Sequence, residues 1–452
     1  MIEEQKKSSV NLFESRIFYY FIFAVYKVLI EFTYYIGVSH WYSYLGFILQ
    51  PNYLKCLVSY ILFSLCVLII PRKYSLNGVL VSLFFSISTI PMLSFFWLAD
   101  KELLFSLYAV LFFCIMACVS SVKVAKLSIS INDTFTEYEL FITIIFFFYV
   151  IACVALGTLR GGIDFRAISF SSIYQLRSEE VTSGIFEAYV SNWCAKAFFP
   201  MLTVYYLYTK RRIRVIICLV CQLYLYLCYG YKAYILSAVL TIVVFFVGRF
   251  FIKKRIQTNC ISLFILIAGL IPCWLSSLKG IVGKIGYLAN NTYAMRMLFE
   301  PARIANGYFS FFSSNDKLFF SEGLIGKIFG LFYPYDTAIG FVITKFLNGE
   351  DAISNSNTGI VADSFSQIGF AGIILIALVA GLLILYLNRL IIRFPTYCIA
   401  AAFFYPVVML NDNPLLTNIL TNGWFIDIIM LFLFEKSLEV SQKNSEAYCS
   451  SK

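Results

Sequence analysis

A single histidine, His40, occurs in 452 residues, and Asp, Glu, Lys and Arg together supply only 13% of them. One imidazole outside both polar segments of the chain gives no support to Ser-His-Asp hydrolysis. An H-E-x-x-H run or another spaced His/Cys set for zinc is also missing, as is the D-x-D with which nucleotide-sugar transferases grip a metal diphosphate. The stretch KGIVGKIG, residues 279–286, has its glycines too close together and Ile285 where a phosphate-binding loop needs Ser or Thr, so ATP chemistry finds no support. Internal repeats of solenoid type are absent, and no soluble domain flanks the apolar part of the chain.

What fills the chain instead is apolar: 60% hydrophobic and 19% aromatic residues, with a mean hydropathy of +0.82. Such a composition belongs in a bilayer. The net charge of +10 comes mostly from short basic loops suited to an anionic lipid surface, so nucleic acid is not an implied partner. Thirteen cysteines lie mainly within apolar runs and read as small hydrophobes, the C-x-x-C of Cys218 and Cys221 included, which predicts packing rather than disulfides. Met1 to Arg16 mixes both charge signs, and no small-residue cleavage site follows the first apolar run, so that run reads as an uncleaved first span.

Apolar runs of the length a bilayer needs recur from end to end. The expected fold is all-α and polytopic, with about twelve transmembrane helices, over 17–37, 53–70, 76–98, 102–122, 139–159, 186–209, 213–230, 232–252, 259–276, 366–388, 396–411 and 417–434. Basic clusters at Arg72 and Lys73, Lys123 and Lys126, Lys210 to Arg214, Arg249 to Arg255, and Arg389 and Arg393 close every second gap. That positive-inside pattern places both termini in the cytoplasm. The expected organisation is spans one to nine over 1–276, including an external loop at 160–185, then a large external loop subdomain over 277–365, spans ten to twelve over 366–434, and a disordered tail over 435–452.

A second population of cations lies in the external gaps, where orientation gives no reason for them. Arg160, Arg166 and Arg177 share the first external loop with Asp164, Glu179 and Glu180. They read either as a solvated, mutually paired loop or as guanidinium forks for phosphate oxygens. Lys232, in YGYKAYIL, either snorkels to the interface or faces a headgroup. Lys196 falls near the middle of span six, where an ammonium costs at least ~2.5–3.5 kcal/mol, so it must face a cavity or a partner. Lys27 and Glu31, four apart in span one, are expected to satisfy each other, while Asp427 has no assigned partner, Lys196 being one conceivable choice. Arg296 and Arg303, seven apart in an expected amphipathic helix, should share a face and either grip phosphates or meet water. Asp336, Asn357 and Asp363 follow; Asp363 reads as a helix-start carboxylate or a catalytic base.

The GYKAYIL turn, the Arg296 and Arg303 segment, and the N-T-G-x-x-A-D-x-F-x-x-x-G-x-x-G run from Asn357 to Gly372 resemble the bacterial O-antigen polymerases, the Wzy family of oligosaccharide repeat-unit polymerases. As architecture the resemblance covers nearly the whole chain. It implies a fold akin to the C-type glycosyltransferases, a place in the bacterial inner (cytoplasmic) membrane, and a periplasmic loop that carries the site. It further implies an enzyme of lipopolysaccharide biosynthesis that joins repeat units carried on undecaprenyl diphosphate, with membrane lipids and a chain-length regulator as further partners and with no cofactor or obligatory metal. Under that resemblance the diphosphate falls to Arg160, Arg166, Arg177, Lys232, Arg296 and Arg303, the glycan to Asn357, and the acceptor proton to Asp363 or Asp336, in a single inverting displacement. Two rivals share parts of the pattern: an O-antigen ligase, which is expected to carry a functional histidine in its loop, and a lipid-linked oligosaccharide flippase, which is expected to have short connections.

Overall fold

The computed structural model describes residues 16–71, 75–125, 137–168, 172, 176, 184–254 and 260–450. Every regular element among them is helical, as the apolar runs predict, because a bilayer leaves the backbone no outside partner for its N–H and C=O groups. Among the described residues, seven helices are long and apolar enough to cross a membrane: α1 (Arg16–Trp41), α3 (Leu76–Leu98), α4 (Leu103–Ser120), α5 (Tyr138–Leu159), α7 (Arg212–Tyr229), α8 (Lys232–Lys253) and α15 (Phe370–Leu390). The protein is therefore an all-helical, polytopic membrane protein.

Helices also lie over the other five expected spans. They are α2 (Tyr53–Ile69), α6 (185–208), α9 (Ile261–Ser277) and α16 (Thr396–Met409), while the last expected span is broken into α17 (Leu415–Leu420) and α18 (Trp424–Ser450). Between α9 and α15 the long loop folds into α10 (Gly280–Ala289), a π-helical stretch (Asn290–Phe299), α11 (Glu300–Ser314), α12 (Leu324–Phe329), α13 (Ile339–Asn348) and α14 (Ile360–Ile368). Two expectations change here. Residues 435–450 continue α18 rather than ending in disorder, because Glu439 pairs with Lys436 and Lys443 one helical turn away and with Arg393. The entry to the tenth span is a separate helix, α14, which stops at Gly369 before α15 begins.

The chain divides into two compact units. The first takes in residues 1–122, 251–384 and 408–415. Its central element is α3, whose apolar window is completely buried and whose Ser82, Ser86, Ser88, Thr89 and Ser94 let neighbouring helices approach closely. α1, α2 and α4 pack around it, with Phe23, Phe63 and Phe113 all set against Phe85. The long loop is part of this unit: α11 packs on α3, α13 and α14, and α14 packs on α4. The second unit takes in residues 123–250, 385–407 and 416–452. Its α5 buries only 28% of its apolar window and turns Ile144, Phe147, Phe148, Ile151 and Val154 outward, the surface a lipid-facing helix presents.

Two buried charges confirm how the membrane sequence manages polarity. Lys27 pairs with Glu31 as the spacing predicts, and the pair is fully solvated by protein: Ser59 and Ser94 accept from the Lys27 ammonium, while Tyr60, Ser94 and Trp97 donate to the Glu31 carboxylate. By contrast, Asp427 does not pair with Lys196. Both Asp427 oxygens are buried without a hydrogen bond, and Lys196 donates to Asn422 Oδ1 at 2.9 Å instead. His40 sits at the end of α1 with its ring edge-on to Trp41, an interfacial aromatic contact.

Candidate functional site

The segment 410–412, between α16 and α17, gathers the polar elements of the first unit. Asn411 donates from Nδ2 to the carbonyl of Ile87 on α3 at 3.0 Å and to that of Met297 at 3.1 Å. One residue earlier, the carbonyl of Leu410 accepts from the N–H of Ile360, the first residue of α14, at 2.9 Å. Gly359 lies so close that a Cβ there would stand 2.4 Å from the Asn411 carbonyl, so a side chain at this position would force the backbones apart. The turn that carries Arg296 and the helix that carries Asp363 are thus fastened to one loop, and the next residue of that loop is Asp412.

Asp363 and Asp412 are both half-buried carboxyls. Burial, reinforced by the charge of Glu322 and opposed by a 2.8 Å hydrogen bond from Gln367 Nε2, pushes Asp363 up to about 6. Burial pushes Asp412 up to about 7. Removing a carboxylate from water disfavours its charged form, so each holds a proton more readily than an exposed acid. Glu322, raised in the same direction by burial, accepts from the Ile339 N–H at 3.0 Å. Tyr308 of α11 completes the group, hydrogen-bonded to Thr358 and held well above the ordinary phenol range by burial and by the charges of Glu322 and Asp363. The segment 318–320 edges the site, with the N–H of Phe320 donating to Gln367 Oε1 at 2.7 Å. Gln367 is thereby fixed and oriented toward Asp363.

The two arginines of the long loop have different environments. Arg296 is exposed and makes no hydrogen bond or ion pair among the described residues. Arg303 is 5% exposed, and its fork is filled: Nε and Nη2 donate to the two Glu300 oxygens at 2.9 and 2.8 Å, Nη1 donates to Asn348 Oδ1 at 3.1 Å, and the plane lies 5.6 Å from the Phe47 ring centroid. The shared face expected for this pair does not form. The ten residues Asn290–Phe299 are π-helical, with a wider turn, so a seven-residue spacing no longer completes two turns. Arg303 in this arrangement positions α11 against α13 and has no free edge for a diphosphate.

The remaining sequence-derived residues fall in several places. Asp336 and Asn357 are exposed in loops of the first unit, Asn357 adjoining the Thr358 that Tyr308 holds. Arg160, Arg166 and Lys232 belong to the second unit: Arg160 lies over the Tyr229 ring at 4.8 Å, Arg166 forks onto Asp164, and Lys232 opens α8. Arg177 is outside the described residues.

Comparison with protein-family models, curated proteins and solved structures gave no match. A carboxyl tuned toward neutrality and an unpaired guanidinium, carried on segments fastened to the same loop, are the groups needed to take a proton from a hydroxyl and to meet an anionic group. Sequence reading did not find Asp412, Glu322, Tyr308 or Lys101. The last lies near enough to Arg303 and Lys55 for their charges, after burial, to lower its proton affinity. The N-D-N-P turn around Asp412 was a legible loop signal; the others are brought in only by tertiary packing.

Proposed function

We propose that this chain is an inner-membrane glycosyltransferase of about twelve crossings, resembling the C-type enzymes, that polymerises undecaprenyl-diphosphate-linked oligosaccharide repeat units on the side of its long loop. The observation that carries the reading is the loop 410–412, which ties the turn of Arg296 to the helix of Asp363 and itself carries Asp412. In the reaction, the acceptor hydroxyl oxygen attacks the anomeric carbon of the donor sugar as its bond to the diphosphate oxygen breaks. The hydroxyl proton passes to the Asp363 carboxylate, and the diphosphate leaves with the electron pair, its charge met by Arg296. With its proton affinity pushed up to about 6, Asp363 is ionised at neutral pH yet more basic than a solvated aspartate. The charge of Glu322 reinforces burial in raising Asp363, and the exposed Asn357 is the group offered to sugar hydroxyls.

Complementation of a polymerase-deficient strain tests the assignment. Arg296→Ala and Asp363→Asn should each abolish the long-chain polymer ladder while the protein remains in the membrane. Wild-type ladders from both variants would end the proposal.

A further inference from the structure

We infer that the second unit carries its own headgroup site, a pocket built on Lys196 that binds the phosphate of a lipid-linked sugar. Lys196 sits in a π-helical turn, Cys194–Phe198, inside α6. Such turns widen the helix by one residue and recur where a side chain is aimed at a ligand. Beside it lies a cavity of about 220 Å³, lined by Ser191, Asn192, Lys196, Tyr229, Tyr231 and Tyr234. At ~30 Å³ per water this is room for about seven waters, the bulk of a phosphorylated monosaccharide rather than of a whole oligosaccharide.

The charge balance points to an anion. An ammonium offers three donors; Lys196 spends one on the neutral amide oxygen of Asn422, which is itself held by a 2.8 Å hydrogen bond to Asn418. Among the described residues Lys196 pairs with no carboxylate. Glu187, next in sequence to the lining residue Ala188, accepts from the Tyr229 hydroxyl at 2.8 Å, and Asp427 on α18 makes no hydrogen bond to Lys196. A cation kept in a membrane helix without a counter-ion is costly, and a bound phosphate removes that cost. Arg160, with its guanidinium 4.8 Å from the Tyr229 ring centroid, places a second positive group against a lining residue. Three tyrosines supply flat apolar faces with hydroxyl edges, the surface on which a sugar ring stacks. The left-handed Gly230 that ends α7 folds α8 back so that Tyr229, Tyr231 and Tyr234 reach one wall.

The identity of the sugar lipid rests on the polymerase reading; the anion site rests on the pocket. Native mass spectrometry of the full chain in detergent, titrated with farnesyl diphosphate, inorganic diphosphate and phosphatidylglycerol in turn, tests it without turnover. Farnesyl diphosphate should bind the wild type at least tenfold more tightly than Lys196→Met, and Asn422→Asp, which installs a competing carboxylate beside the ammonium, should weaken it by a similar factor. Lys196→Arg should restore most of the affinity. Displacement by inorganic diphosphate assigns the affinity to the phosphate head. Equal affinity in wild type, Lys196→Met and Asn422→Asp overturns the site, as does equal or tighter binding of phosphatidylglycerol, which would make it a contact for bulk lipid. Retained binding with no polymer from wild-type protein would remove the polymerase reading and leave the pocket; polymer with Lys196-independent binding would do the reverse.

Discussion

Arg296 and Arg303 are the same residue type a short distance apart, and their surroundings give them separate duties. Removing Arg303 leaves the half-buried Glu300 carboxylate without its fork, so Arg303→Ala should cost about 3 kcal/mol of stability, read as a lowered denaturation midpoint in detergent. Arg296→Ala, with no partner among the described residues to abandon, should change stability by less than ~0.5 kcal/mol while abolishing transfer. The reverse pattern would exchange their assignments. Asp363 offers a pH test with two opposite signs. Its folded-state proton affinity lies above the ordinary 3.8, at about 6, so the ionised form is the strained one, and its contribution to stability grows as pH falls from about 6 toward 3.8. In the proposed transfer the same group acts deprotonated, so the rate should rise with pH through an acid limb near 6, and Asp363→Asn should remove the activity rather than shift that limb. Asp336 was as good a candidate base in the sequence, because exposure and burial of an aspartate look the same in a string of letters.

At the scale of elements, the helices of this protein are interrupted where polar side chains must be aimed. A π-helical turn sits at Tyr34–Val38 in α1, Phe85–Thr89 in α3, Cys194–Phe198 in α6 and Asn290–Phe299 before α11. Two of them carry cations, Lys196 and Arg296. The Lys27–Glu31 pair shows the opposite strategy, an uninterrupted helical spacing closed by α2 and α3. Because Ser59, Ser94, Tyr60 and Trp97 complete that network, Lys27→Met alone should cost about 3–5 kcal/mol by leaving Glu31 charged and unpaired. The double variant Lys27→Met with Glu31→Gln should recover at least half of that loss, measured by the unfolding midpoint of the purified protein. Additive losses in the double variant would show that the pair does not act as a unit. A tight glycine seam joins α9 to α10, where a Cβ on Gly286 would stand 2.1 Å from the Ser276 amide nitrogen. Alanine there forces backbone apart and should reduce the amount of folded protein in the membrane.

For the molecule as a whole, the alternating basic gaps make a prediction about sidedness. A cysteine placed at Asp336, exposed in the long loop, should react in intact cells with a thiol reagent that cannot cross the membrane, and one placed at Arg212, at the start of α7, should react only after lysis. Labelling of both, or of the second alone, would reverse or dissolve the expected topology. The two compact units also redistribute the sequence-derived cations, Arg296 and Arg303 to the first and Arg160, Arg166 and Lys232 to the second, so each unit is tested by its own variants.

Composition and the length of apolar runs determined the membrane class and the helical character, since a bilayer admits only helices or closed barrels and the runs have helix length. Local spacing was enough for Lys27 with Glu31, because four residues along a regular helix is itself a distance. Spacing failed for Arg296 with Arg303 once a π-helical stretch changed the number of residues per turn. Which acids have raised proton affinity, and that Asn411 would bind the Arg296 turn and the Asp363 helix to one loop, was decided only by tertiary structure: burial and long-range hydrogen bonds set proton affinity and proximity, and neither is a property of neighbours in the chain.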